Sequence, residues 1–242
     1  MQIAVLSDIH GNSWALECVL ADIKKRGIRR IYDLGDSLQG PLNPGGTFEL
    51  MQEWQIPSLR GNQERFLLEE LETPKGNATL QYVLGELNQE ALCWLRDLPT
   101  ERVFDDLYLC HGSPDSDSEY LLEQIHTDHV GIKSPELLLS QIKNLKQKII
   151  LCGHSHTPRI IEIAGKIIIN PGSVGLPAYD DELPLPHKIE NHSPKTRYAI
   201  LDIADELNIE QVVLNYDYES AARCAEKNQR PDWAGWLRSG RA

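Results

Sequence analysis

Five short strand-like stretches, each followed within five residues by glycine and by carboxylate, imidazole or amide side chains, constrain this chain more than any other feature. The first, Ile3 to Leu6, leads into Ser7-Asp8-Ile9-His10-Gly11-Asn12. The others are residues 30–34 before Gly35-Asp36-Ser37, 56–60 before Gly61-Asn62-Gln63-Glu64, 107–110 before His111-Gly112, and 148–152 before Gly153-His154-Ser155-His156. Runs of this length bounded by turn residues read as buried strands. Residues two apart on a strand share a face, so Asp8 and His10 can reach one point in space. Polar groups delivered repeatedly to strand tips predict an α/β fold with its site at the carboxyl edge of the sheet.

The stretches between the strands carry helical signals. Leu16, Val19, Leu20 and Ile23 recur at helical spacing, with Asn12 or Ser13 as cap and Gly27 as stop. With the strand that follows they make a βαβ unit. Thr47 is read as the cap of a short helix after the Pro- and Gly-rich residues 39–46, and residues 64–72, 78–97, 118–126, 135–146 and 219–227 as further helices. Strand pairs are expected to turn at Asp105-Asp106 and Ala164-Gly165, and residues 197–203 and 209–215 to form a terminal antiparallel pair. Residues 178–195, proline-rich, charged and aperiodic, read as an exposed loop or mobile flap. With no repeat or linker evident, one domain over residues 1–242 is expected, residues 219–242 being a C-terminal extension whose Trp233 and Trp236 pack back onto the body.

Charge and cysteine usage narrow the function classes. Thirty-six acidic against 24 basic residues give a net charge of −12, with the basic residues scattered. Binding to nucleic acid through a large surface runs on clustered Lys and Arg, so such a surface is not expected. Bound divalent cations would still make one acidic cleft attractive to phosphate. The five cysteines are odd in number and form no C-x-x-C. They read as free thiols of a reducing compartment, mostly core residues. No leader-like segment and no apolar run of membrane-spanning length is present, so a cytoplasmic protein without membrane contact is expected.

Collected, the strand-tip residues Asp8, His10, Asp36, Asn62, His111, His154 and His156 offer more oxygen and nitrogen ligands than one tetrahedral ion uses. Two ions sharing a carboxylate fit better, and such pairs drive in-line displacement at phosphorus. The motifs D-x-H, G-D, G-N, H-G and G-H-x-H, in this order and each after a strand, resemble the calcineurin-like metallophosphoesterases, in particular their small prokaryotic branch. The resemblance covers roughly residues 2–202. It implies a four-layer α-β-β-α sandwich of two mixed sheets. It also implies one ion held by Asp8, His10 and His156, a second by Asn62, His111 and His154, and Asp36 bridging them. Mn²⁺ is implied, or Fe, Zn or Ni in the same positions. The reaction so implied is hydrolysis of a phosphodiester, phosphomonoester or phosphoanhydride of a small substrate by a metal-bridging hydroxide, with Asp36, Asn62, His111 and Gln63 at the reacting centre.

One position departs from the family pattern. Where many relatives carry a histidine that protonates the leaving group or steadies the phosphate, this chain has Gln63. Glutamine donates a hydrogen bond but no proton at neutral pH. A non-catalytic binding module on the same scaffold is therefore the alternative reading. Gly35-Asp36-Ser37-Leu38 also spells a serine-esterase signature, but no His has the Asp three residues before it that this chemistry needs. Substrate selection is expected from residues 37–46, 113–120 and 173–195, with Arg60, Arg65 and Arg197 as candidate phosphate clamps. His126, His129, His187 and His192 read as surface or structural residues, and Trp14, Trp54 and Trp94 as core.

Overall fold

Alternation along the strands decides the layering. In β1 (Gln2–Leu6), Ile3 and Val5 point to one face and Ala4 and Leu6 to the other, and all four are fully buried. A strand buried on both faces must lie between two layers. The computed structural model describes residues 1–204 and 206–242. After β1 come α1 (Ser13–Arg26), β2 (Arg30–Asp33), and the helices α2 (Pro44–Glu53), α3 (Asn62–Glu72), α4 (Ala78–Glu86) and α5 (Gln89–Asp97). The hairpin β3 (Glu101–Phe104) and β4 (Leu107–Cys110) is followed by a smaller one, β5 (Glu123–Ile125) and β6 (Val130–Ile132), then α6 (Pro135–Ile142) and β7 (Ile149–Leu151). Three more hairpins follow, β8 (Arg159–Ile163) with β9 (Lys166–Asn170), β10 (Ala178–Asp181) with β11 (His187–Glu190), and β12 (Thr196–Ile203) with β13 (Leu207–Leu214). The chain closes with α7 (Tyr218–Lys227) and α8 (Pro231–Ser239).

Two mixed sheets result, ordered β13-β12-β1-β2 and β3-β4-β7-β9-β8. The β1–β2, β4–β7 and β7–β9 pairs are parallel and their flanking pairs antiparallel. Ile3, Val5, Leu107, Leu109, Ile149, Leu151 and Leu201 form the layer between the sheets. The opposite face of the first sheet, through Ala4 and Leu6, packs on α1, α2, α4 and α5. The opposite face of the second, through Tyr108, Cys110, Ile150 and Cys152, packs on Leu138 and Ile142 of α6. This is the expected four-layer α-β-β-α sandwich. Truncating a core leucine such as Leu109 to alanine should cost about 2–5 kcal/mol.

Several local expectations are corrected. The 118–126 segment is not helical: Tyr120, Leu121 and Leu122 are buried consecutively, which no one-sided helix permits, and Glu123 opens the β5–β6 hairpin. Residues 78–97 form two helices, because the Asn88 side chain accepts from the Ala91 N–H at 2.8 Å and starts a new one. The helix assigned to Thr47 begins at Pro44, capped by Asn43, and α6 stops at Ile142. Residues 56–60 make only one bridge, Ser58 to Asp33, because Pro57 brings no N–H to a ladder. Within the 178–195 segment, β10 and β11 pair in register with Ala178, His187 and Ile189 buried, so much of it is hairpin.

Trp233 and Trp236 are buried with Leu42, Leu176 and Leu237, seating α7 and α8 on the body as expected. Trp14, Trp54 and Trp94 are half-buried against the apolar clusters. Of the five free cysteines only Cys110 and Cys152 are buried, and Cys93 is exposed. Among the described residues, no helix is long and apolar enough to cross a membrane.

Candidate metal centre

The loops after β1 and β2 are zipped together. The Asp8, His10 and Gly11 N–H groups donate to the carbonyls of Gly35, Asp36 and Ser37 at 3.0, 2.9 and 2.9 Å. Glu64 ties in the next loop: its buried carboxylate accepts from the backbone N–H of Asp36 (2.8 Å), Ser37 (2.7 Å) and Gly61 (2.9 Å). A Cβ on Gly61 would fall onto the Asp36 carboxylate, so only glycine allows the two loops to close. Asp8, His10, Asp36, His154 and His156 all have left-handed backbone, with φ of 56, 53, 56, 65 and 54°. That conformation costs a non-glycine residue of order 1–2 kcal/mol and clusters at functional sites.

All seven strand-tip residues come together. Asp8, His10 and His156 form one buried cluster and Asp36, His111 and His154 a second, the candidate ligand atoms of each lying within 4.8 Å of one another. Asn62, first residue of α3, places its Oδ1 3.0 Å from His111 Nε2. The ring orientations fix what these atoms are. Nδ1 of His10, His156 and His111 lies 2.8, 2.7 and 2.9 Å from the carbonyls of Gln39, Leu176 and Leu34. A carbonyl only accepts, so each Nδ1 carries a proton, and in the neutral ring Nε2 presents a lone pair. Yet His10 Nε2 faces His156 Nε2 at 3.1 Å, and His156 Nε2 lies 3.3 Å from Asp8 Oδ1, which has no hydrogen-bond partner. His111 Nε2 likewise faces Asn62 Oδ1 and, at 3.2 Å, Asp36 Oδ2. Lone pairs converging on lone pairs need a cation, or at His111 a proton, between them. The residues fit divalent ions, with backbone carbonyls steadying the ligands from behind.

The electrostatics agree. Burial opposes ionisation of Asp8 and Asp36, but the imidazoles around them, His156 for Asp8 and His111 for Asp36, hold both carboxylates below their ordinary range. Burial also opposes charging of His111, and the carboxylates of Asp36, Asp8 and Glu64 outweigh it, pushing the imidazole up to about 10. His154 is lowered to about 4 by burial and by the neighbouring His111. Burial, with the Asp36 charge next, pushes Glu64 up, while its backbone donors favour the ionised form. Ionised carboxylates thus lie beside His10 and His154, whose protonation burial disfavours, while the same carboxylates favour a proton on His111 wherever no cation offsets them.

Residues 1–206 match the calcineurin-like phosphoesterase superfamily domain. The chain belongs to that superfamily. An uncharacterized protein of Methanocaldococcus jannaschii is 29% identical over 256 residues, covering 96% of this chain and 95% of its own. A metallophosphoesterase from Sphaerobacter thermophilus superposes with a TM-score of 0.78 at 22% identity, covering 99% of this chain and 100% of that one. A hypothetical protein from Pyrococcus horikoshii gives 0.77 at 21% identity, with coverage of 99% and 98%. Both superpositions establish the phosphoesterase fold.

Other expected site residues fare unequally. A cleft of about 280 Å³ over the clusters is lined by His10, Asp36, Asn62, Gln63, His154 and His156, together with Gln39, Asn77, Thr79, Tyr179, Asp181, Arg230 and Trp233. Arg60, Arg65 and Arg197 do not line it. Arg65 is committed to Asp117, at 2.7 and 2.9 Å, and to Glu69, and Arg197 donates to the Lys195 carbonyl. The cation that does reach the cleft is Arg230, in the turn before α8, bonded to Asp232 and Thr79. Trp233 sets its ring edge-on to His10 with centroids 5.8 Å apart. Neither role was legible, because nothing local in that tail marks which residues face a site formed some 200 positions earlier. Glu64 was similarly silent, although its spacing from Gly61 is that of a capping box. Ser37 is fully buried and donates to Asp33 at 2.6 Å, so the cleft presents no exposed serine nucleophile at this position. His187 is buried against Tyr120, a structural placement as expected.

Proposed function

We propose that this chain is a dinuclear-metal-dependent phosphoesterase that hydrolyses phosphodiester, phosphomonoester or phosphoanhydride bonds of a small substrate. The observation that carries the reading is the convergence of imidazole Nε2 atoms and carboxylate oxygens at two adjacent points. Asp8, His10 and His156 would hold one cation and Asn62, His111 and His154 the other, with the Asp36 carboxylate within reach of both. Mn²⁺ suits this mixed oxygen and nitrogen set, as do Fe, Zn and Ni. Such a pair supplies activated water near neutral pH and charge neutralisation at phosphorus.

The chain's own residues do the rest. Asn62 turns its Oδ1 to His111, which leaves its amide N–H₂ to donate to a phosphoryl oxygen. Gln63, whose backbone N–H donates to Asp36 Oδ1 at 2.9 Å, stands at the cleft wall and can orient the leaving oxygen by a hydrogen bond. It gives no proton, so leaving groups that need no acid are favoured. Arg230 offers a positive charge to the anionic substrate from across the cleft.

Gln63 also favours the second reading, a non-catalytic binding protein on the same fold. Metal analysis of the purified protein, with assays on bis(p-nitrophenyl) phosphate and p-nitrophenyl phosphate under added Mn²⁺, separates the two. Two bound ions with turnover are expected. Two ions without turnover of any phosphate ester, or no bound ions at all, would leave the binding protein.

A further inference from the structure

Two clefts meet at the metal clusters and share Asn62, Gln63, His154 and Asp181 in their walls. The first, already described, is polar and carries Gln39, Asn77, Thr79 and Arg230. The second, of about 710 Å³, has Phe66, Tyr120, Ile125, Leu183 and Pro184 as its apolar wall, with Ser116, Ser118, Glu119, Glu123, Gln124 and Lys133 lining the remainder beyond the shared residues. Its aromatic wall is fixed in place. The Tyr120 ring stacks on His154 with centroids 4.6 Å apart and planes 27° from parallel, and its hydroxyl is tied to Tyr179 (2.8 Å) and His187 (2.9 Å). The rim is different. Leu183, between β10 and β11, is 74% exposed, the most exposed large apolar side chain among the described residues. An apolar side chain held in water beside an apolar cleft that opens on a polar reaction centre is the usual build of a ligand site.

A phosphorus atom held at the shared residues has two directions in which to send its substituents, one into each cleft. A monoester fills one and leaves the other empty, whereas a diester fills both. Flat walls from Phe66 and Tyr120 favour a planar ring by stacking and edge contacts. Resting on the phosphoesterase reading above, we propose that the substrate is a phosphodiester-type anion with one arm ending in an aromatic group, which occupies the cleft between Phe66, Tyr120, Leu183 and Pro184. The polar arm lies toward Arg230.

Calorimetric titration of the Mn²⁺-loaded protein with two hydrolysis-inert phosphinates tests this. Bis(2-phenylethyl)phosphinate and diethylphosphinate share the same charged head and differ in their aromatic ends. The first is expected to bind at least tenfold more tightly, and the advantage should fall to under threefold in Phe66→Ala. Leu183→Ser, a change at an exposed position that leaves the packing intact, should reduce it at least threefold. Equal binding of the two anions, or an advantage that survives both substitutions, overturns the proposal. Binding of neither anion to protein that holds two ions would instead defeat the phosphoesterase reading on which it rests.

Discussion

His10 and His156, 146 residues apart in sequence, face each other through Nε2 atoms 3.1 Å apart, while their Nδ1 atoms are held by the Gln39 and Leu176 carbonyls. Two lone pairs at that distance repel unless something positive lies between them. Divalent cations should therefore stabilise the fold markedly. A ligand at a hundred times its Kd adds about 2.7 kcal/mol. Scanning calorimetry should show Tm falling on treatment with chelator and recovering with Mn²⁺. A Tm indifferent to both would contradict the cation assignment.

In chelator-treated protein a proton takes over part of the cation's role at His111. Its pKa of about 10 lies above the 6.5 of an ordinary histidine, because Asp36, Asp8 and Glu64 outweigh the cost of burial. A raised folded value means that the contribution to stability is complete below pH 6.5 and is lost as pH rises through 10. Melting of the metal-free protein should therefore shift to lower temperature across that window. The ion-loaded protein should show a shallower dependence, and His111→Asn should flatten the metal-free curve.

Glu64 touches no ligand atom of a neighbouring histidine, yet it receives N–H bonds from the loops that carry Asp36 and Gly61. Glu64→Gln places an N–H₂ group where an acceptor is needed. Losses of about 10–100-fold in metal affinity are typical when such supporting partners are removed. Competition with a chromophoric chelator would measure it, and unchanged affinity would show that the loops hold their positions without Glu64.

Gln63→His restores a group able to protonate a leaving alkoxide. General acid catalysis is worth about 10²–10⁴-fold where the leaving group needs it. The variant should gain one to two orders of magnitude on alkyl phosphodiesters and little on bis(p-nitrophenyl) phosphate, whose leaving group departs unaided. Equal effects on the two substrates would place Gln63 in phosphate binding rather than in leaving-group chemistry.

The candidate ligands were legible because strand tips are local events. An apolar run followed by glycine and a polar residue announces itself within about ten positions, and parity assigns Asp8 and His10 to one point. The helix α1, with its Asn12 cap and Gly27 stop, was legible for the same reason. Segments whose structure depends on distant partners were not. Glu123 leaves a helical-looking run to pair with Arg159 at 2.7 Å, and residues 178–190 become a hairpin once their apolar side chains find a surface to cover.

The sequence by itself determined which residues could ligate ions, the alternation that makes β1 an inner strand, and the α/β class. Those follow from side-chain chemistry and from periods of two and 3.6 residues, which hold wherever the chain goes. Tertiary structure alone decided that Arg230, rather than Arg60, Arg65 or Arg197, reaches the cleft. It alone brought Trp233 against His10 and joined a polar and an apolar cleft at Asn62 and Gln63. Placement of these groups is set by long-range packing of α8 and the β10–β11 hairpin over strand tips formed far earlier in the chain, and no local periodicity encodes that.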